Sequence, residues 1–209
     1  MRWNWKPDIG NDLSNDYLRE IARIRLDDES ERWTVRQDLV RKYAWAIPTR
    51  EALFAIVETC SHFRVSDIVS VGAGTGFWEQ LISQMWRGSV FAYDIAPPSS
   101  TADENDYKHT TQYYPVGKGG SEVAGWHGGG SALFLSWPPY DTEMAETALA
   151  CFPGSVVIYI GEGWGGCTGN NAFHDALEKD WKCVSRVQIP RWEGINDSLS
   201  IWVRVPSQA

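Results

Sequence analysis

The chain has 209 residues, a formal net charge of −8 at pH 7 and 43% hydrophobic residues. That length suits one domain with a proper core, and no run of about 18 apolar residues marks a membrane span. The acidic balance argues against a surface built to grip a long phosphate backbone, and four scattered cysteines without a C-x-x-C pair argue for free thiols over disulfides or zinc.

The first residues, Met1 to Asp8, contain no apolar signal core, so cytoplasmic residence is the expectation. Tyr17, Leu18, Ile21 and Ile24 set out one amphipathic helical face. An acidic run over Asp27–Glu31 reads as a solvated loop. Residues 32–43 interleave Arg32, Arg36, Arg41 and Lys42 with Trp33, Leu39, Val40 and Tyr43, a half-buried helix with a basic wet face. Pro48 interrupts, and Thr49 can cap a helix striped by Leu53, Ile56, Val57 and Cys60. The loop carrying Tyr43 and Trp45 then falls beside whatever follows the first strand.

That strand is Ile68–Val71, followed at once by Gly72, Gly74 and Gly76. The period then changes: Trp78, Leu81, Ile82 and Met85 stand at i, i+3, i+4 and i+7, one face of a helix. A strand, a glycine turn and a helix form the first half of a nucleotide-binding βαβ unit, where a ligand can approach the backbone and meet free N–H groups. The spacing is G-x-G-x-G, with Phe77 where a dinucleotide fingerprint carries its third glycine. Ser89–Asp94 reads as the second strand, and Asp94 lies near the separation from the glycines, about 20 residues, at which such folds place a ribose-binding carboxylate.

Residues 96–112 are polar and aperiodic, a loop. Tyr113–Val116 is the expected third strand, Ser121–Trp126 has room for a short helix, and His127 sits among glycines as an exposed loop residue. Leu133–Leu135 is a buried strand stopped by Ser136-Trp137-Pro138-Pro139-Tyr140. Asp141 can cap a helix with Met144, Ala148, Leu149 and Phe152 inward. Ser155–Ile160 is the fifth strand and runs into the glycine-dense loop 161–170, where Glu162 is the candidate polar group and Trp164 a candidate wall. Cys167 has no histidine beside it in sequence and reads as structural. Asn171 can cap a helix with Phe173, Ala176, Leu177 and Trp181 inward and His174 at the surface. Cys183–Ile189 and Leu199–Val205, joined by a turn, close the chain as an antiparallel pair.

The G-x-G-x-G turn, the strand ending in Asp94, the Pro-Pro-Tyr segment and the closing strand pair together resemble the class I S-adenosylmethionine-dependent methyltransferases. The resemblance covers roughly residues 45–205 and implies an α/β fold, a three-layer α/β/α sandwich on a seven-stranded, mostly parallel sheet with an antiparallel C-terminal pair. It implies S-adenosylmethionine as cofactor, with Trp45, Gly72, Ala73, Gly74, Gly76, Asp94, Ile95 and Ser136 around it and Asp94 on the ribose. Trp137, Pro138 and Tyr140 become an acceptor pocket, with Glu162 as anchor or base. Residues 1–44 are then a helical extension packed on a methyltransferase-like domain of residues 45–209.

Two positions depart from the family pattern. Ser70 stands two residues before Gly72, where the family carries an acid that meets the cofactor's amino group. Trp137 stands where the amino-methyltransferase branch carries Asp, Asn or Ser before Pro-Pro-Tyr. The expected reaction is methyl transfer to a nitrogen or oxygen of a small planar acceptor, with no metal and no membrane partner. A nucleobase amino-methyltransferase acting on nucleic acid, an NAD-linked oxidoreductase and a non-catalytic S-adenosylmethionine-binding module are the alternatives.

Overall fold

A computed structural model of the chain describes residues 5–25, 31–99 and 110–205. Most of the acidic run, residues 27–30, and most of the expected loop over 96–112 lie outside the described residues.

Seven strands form one sheet in the order β3-β2-β1-β4-β5-β7-β6: β1 Asp67–Val71, β2 Ser89–Asp94, β3 Val116–Lys118, β4 Ser131–Ser136, β5 Val156–Gly161, β6 Trp181–Gln188 and β7 Ser198–Arg204. β1 to β5 are parallel, and β7 runs antiparallel to both β5 and β6. The hairpin follows from the connection. Residues 189–197 are too few for a crossover helix, so β7 returns beside β6 in the opposite sense. A bulge in β6 between Cys183 and Ser185 leaves Val184 unpaired.

Alternation along the central strands sorts side chains to two faces. Ile68, Phe134, Ile158 and Ile201 meet α3 (Arg50–His62) and α4 (Phe77–Met85) through Leu53, Ile56, Trp78 and Ile82. Val69, Leu133, Leu135 and Val157 meet a 3-10 helix over Ser121–Trp126, α5 (Met144–Cys151) and α6 (Asn171–Asp180). The result is the three-layer α/β/α sandwich, its sheet mostly parallel with an antiparallel C-terminal pair. No helix among the described residues is long and apolar enough to cross a membrane.

Two helices precede this frame, α1 (Asp16–Arg23) and α2 (Arg32–Lys42). Asn15 caps α1 by accepting the Leu18 N–H, and Tyr17, Leu18 and Ile21 are fully buried. They pack in one cluster with Leu39, Tyr43, Phe77 and Trp192, so the extension reaches both α4 and the β6–β7 connection.

Several expectations are corrected in detail. The third strand is Val116–Lys118, not 113–116, because Tyr113 and Tyr114 are used elsewhere. Tyr113 donates its N–H to Thr75 O at 2.9 Å and packs against Phe77 and Tyr43, and the Tyr114 hydroxyl donates to Val90 O at 3.0 Å. The position before α5 is Glu143 and not Asp141, and α6 is capped by Asn170, whose side chain accepts the Phe173 N–H. His174 is buried at 6% exposure, its ring on Thr168 O at 2.8 Å and edge-on to Tyr159. His127 is half-buried, against the Phe91 ring and 3.5 Å from Asp67 at the start of β1. It therefore sits at the end of β1 opposite the glycine turn.

Candidate functional site

The carboxyl ends of β1, β2, β4 and β5 share one rim of the sheet, and the candidate residues gather there. Leaving β1, the chain turns through Gly72, Gly74 and Gly76 at φ of +76°, +53° and +75°, a left-handed conformation that glycine enters without steric cost. The N–H groups of Gly72 and Ala73 both donate to Tyr93 O, at 2.8 and 3.0 Å. Gly74 N–H donates to Asp94 Oδ2 at 2.9 Å, so the turn and the end of β2 form one unit. Asp94 Oδ1 accepts the Ala96 N–H at 2.8 Å; each carboxylate oxygen keeps a lone pair for a further donor. Ile95, next in chain, is 74% exposed.

The segment before α3 is fastened across this turn. Thr75 Oγ1 donates to Tyr43 O, and the Trp78 indole donates to Ala46 O at 3.2 Å. Between segment and turn runs a narrow crevice enclosing about 20 Å³, lined by Tyr43, Trp45, Gly72, Ala73, Gly74 and Ser136, and with Glu79 in its wall.

Trp45 also stacks on Trp137, ring centroids 4.7 Å apart and planes within 10°. Trp137 continues the ladder by donating its N–H to Ile160 O at 2.8 Å, yet its φ is +58°. That conformation costs a non-glycine residue roughly 1–3 kcal/mol and persists only where surroundings enforce it. Here the enforcing partner is Asp197, whose Oδ2 accepts the Trp137 indole N–H at 2.7 Å. Pro138 is buried and its carbonyl accepts the Gly169 N–H at 2.8 Å. Tyr140 is 57% exposed and does not line the crevice.

Glu162 is buried at 6% exposure with both oxygens engaged. Oε2 accepts the Cys167 N–H and thiol, at 2.7 and 2.9 Å, and Oε1 accepts the Asn196 N–H at 2.7 Å. These bonds hold its carboxyl below the usual carboxylate range despite burial, while burial and the Glu162 charge push the Cys167 thiol up to about 11. Glu162 thus ties the glycine-dense loop to the β6–β7 connection and so fixes Asp197. Trp164, on that loop, is 59% exposed and donates its indole N–H to Asp175 at 3.1 Å.

Two buried acids escaped the sequence reading. Asp197 lies in what reads as a polar turn; burial pushes its carboxyl up to about 7, and its Oδ1 has no partner. Glu79 is 2% exposed in the first turn of α4, accepts the Ser70 hydroxyl at 2.6 Å on Oε1, and leaves Oε2 without a partner. Burial pushes it up to about 7 as well, with a contribution from the nearby charge of Asp94. The sequence holds one trace of the second, a glutamate one residue after the inward Trp78 in a chain that lacks an acid at position 70. Nothing in the residue pattern marks the first. Among the described residues no cluster of His, Cys, Asp and Glu could hold a metal ion.

No family model matches the chain, and no curated protein matches it. Solved structures resemble it more loosely. A candidate RNA methyltransferase of Pyrococcus horikoshii is 13% identical, with 79% of this chain and 90% of that one covered, at a TM-score of 0.49. The pyocyanin biosynthetic protein PhzM is 12% identical over 92% of this chain and 63% of that one, at 0.49. A variant of MtNAS solved with S-adenosylmethionine is 12% identical over 91% and 71%, at 0.47. Likeness at this level carries no functional argument, and the chemistry has to come from the chain's own residues.

Proposed function

We propose that the chain is an S-adenosylmethionine-dependent methyltransferase acting on a nitrogen or oxygen of a small planar acceptor. The observation that carries the reading is the joined turn and strand end: a G-x-G-x-G backbone in left-handed conformation, bonded through Gly74 to the Asp94 carboxylate. An adenosine ligand fits that unit. Gly72, Ala73 and Gly74 let it reach the main chain, with Gly76 turning the chain into α4; Asp94 accepts from two vicinal ribose hydroxyls, and Ile95 offers an apolar surface to the base. Trp45 and Ser136 border the same crevice. The crevice as it stands has room for about one water, so loading moves the Trp45 segment away from the turn.

When bound, the sulfonium supplies an already activated methyl group; the protein's part is alignment and exclusion of water. Trp137 and Trp45 supply flat faces for a planar acceptor, Pro138 follows in chain with its carbonyl held by Gly169, and Tyr140 is an exposed aromatic that an acceptor would have to recruit from outside the crevice. Glu162 serves in this reading as a positioning residue, since its oxygens already hold backbone groups. The polar group that Trp137 offers is an N–H already given to Asp197, not the acceptor that would clamp a nucleobase amine, and the net charge is −8. Both favour a small molecule over nucleic acid. A cytoplasmic, metal-independent enzyme with residues 1–44 as an accessory extension completes the proposal.

Isothermal titration tests it. S-adenosylhomocysteine is expected to bind and NAD is not; uptake of NAD alone would reverse the assignment in favour of an oxidoreductase. Asp94→Ala removes hydrogen bonds to a charged acceptor, each worth about 1.5–3 kcal/mol, so affinity for S-adenosylhomocysteine is expected to fall at least tenfold. Turnover of a labelled methyl group against a panel of aromatic amines and phenols separates an enzyme from a binding module.

A further inference from the structure

Glu79 is a carboxylate with nothing to balance it. The residue is 2% exposed, its Oε2 has no hydrogen-bond partner, and it stands in the wall of the crevice beneath the glycine turn. Leaving such a group buried without a partner costs about 1–3 kcal/mol or more. The ionisable groups that reach it are Asp94 from β2 and Tyr114 from the segment before β3, neither of them cationic. The crevice adds Tyr43, and β1 adds the uncharged Ser70 hydroxyl at 2.6 Å. Among the described residues no Lys, Arg or His meets it.

We infer that Glu79 is the anchor for a primary ammonium group of the ligand, an acid delivered from α4 to the place where Ser70 leaves the end of β1 without one. The inference rests on the reading of the glycine turn as an S-adenosylmethionine site and names the group that holds the amino-acid end of that cofactor. Ser70 and Glu79 act together. The hydroxyl occupies one carboxylate oxygen and fixes its rotamer, leaving the other without a partner in a residue that lines the crevice. An acid at position 70 itself would put two carboxylates in the space where the Ser70–Glu79 bond now lies, a like-charge pair that could not both ionise.

The arrangement also couples binding to a proton. In the free protein burial holds Glu79 near half-protonated at neutral pH, since its carboxyl is pushed up to about 7. An ammonium partner favours the ionised form, so binding releases a proton to solvent. Affinity for an ammonium-bearing ligand is expected to rise about fivefold between pH 6 and pH 7 and to level off above.

The test compares S-adenosylhomocysteine with methylthioadenosine, which keeps the nucleoside and lacks the amino-acid end, titrated into the full chain and into Glu79→Gln. The glutamine preserves the volume and the oxygen that Ser70 donates to. S-adenosylhomocysteine is expected to weaken at least tenfold in the variant and to lose its pH dependence, with methylthioadenosine unchanged within about twofold. Calorimetry of the unaltered protein in buffers of different protonation enthalpy is expected to show about half a proton released at pH 7 with the first ligand and none with the second. Equal weakening of both ligands, no weakening of either, or an affinity flat from pH 6 to pH 8 would overturn the assignment of Glu79 alone. Binding of neither nucleoside by the folded, unaltered protein would instead overturn the reading of the glycine turn. Should Glu79→Gln fail to fold, the proton count and pH profile of the unaltered protein decide the matter by themselves.

Discussion

Raising the pH from 6 to 8 is expected to lower the stability of the free protein by roughly 3 kcal/mol, about 1.4 for each of two groups. Glu79 and Asp197 are buried acids whose carboxyls are pushed up to about 7, from 4.5 and 3.8 respectively. The folded state therefore prefers both of them neutral. Their contribution is fully present below the unfolded values and is lost as pH rises through 7, because the unfolded chain then ionises freely and the folded one at a cost. The carboxyls held below their ordinary values, Asp12, Glu20 and Glu162, act in the opposite sense and below about pH 5, outside this window. Thermal melts at pH 6, 7 and 8 are the measurement, with a fall of about 5–10 °C expected for a chain of this size. Asp197→Asn keeps an oxygen for the Trp137 indole and removes the charge, so it is expected to abolish about half of the fall. A melting temperature that holds or rises between pH 6 and pH 8 would refute the account of both acids.

Gly76→Val is expected to cost roughly 3–4 kcal/mol and to abolish ligand binding. Gly76 precedes α4 at φ +75°, where a β-branched residue is strained by about 1–3 kcal/mol before any contact is considered. A Cβ there would also come within 2.8 Å of Tyr114 Cβ and 3.1 Å of its backbone N and O. Backbone cannot move aside as a flexible side-chain tip can, so the segment before β3 would be driven off α4. The clash reaches the crevice as well, since Tyr113 N–H is bonded to Thr75 O within the turn. Urea unfolding is the measurement; Gly10→Val serves as the control, having the same handedness of φ at +52° with nothing within 4 Å of the new Cβ. Equal losses in the two variants would mean that the contact with Tyr114 contributes nothing beyond backbone strain.

The frame was legible because each strand of the sheet centre carries apolar residues on both faces and each helix a stripe at a different period. Ser89–Asp94 and the change of period after Gly76 needed nothing beyond local pattern. Pairing of Asp94 with Gly74, 20 residues apart, was also readable, since a parallel β1–β2 unit brings those two ends together. What could not be read depended on partners distant in sequence. Tyr113 and Tyr114 have strong strand propensity, but their contacts with α4, Thr75 and Val90 outweigh it. Glu162 reads from the sequence as an anchor or base, and its bonds to Cys167 and Asn196 are set by the fold and not by local pattern. Asp197 and Glu79 are polar letters in unremarkable places, and only burial gives them meaning. The left-handed φ of Trp137 is a tertiary constraint as well, imposed by an acid 60 residues away.

The irregularity in β6 bears on how copies of the chain behave at high concentration. β6 is an outer strand of eight residues, long enough to offer a ladder of open amides to a neighbour. Val184, the extra residue, bends that ladder out of register, and Lys182 and Arg186 stand exposed on either side of it. A docking strand would meet a broken repeat and two repelling cations. Deleting Val184 while replacing both cations with threonine should straighten the margin, and light scattering of the altered protein should then report fibrous or oligomeric growth where the parent chain stays dispersed.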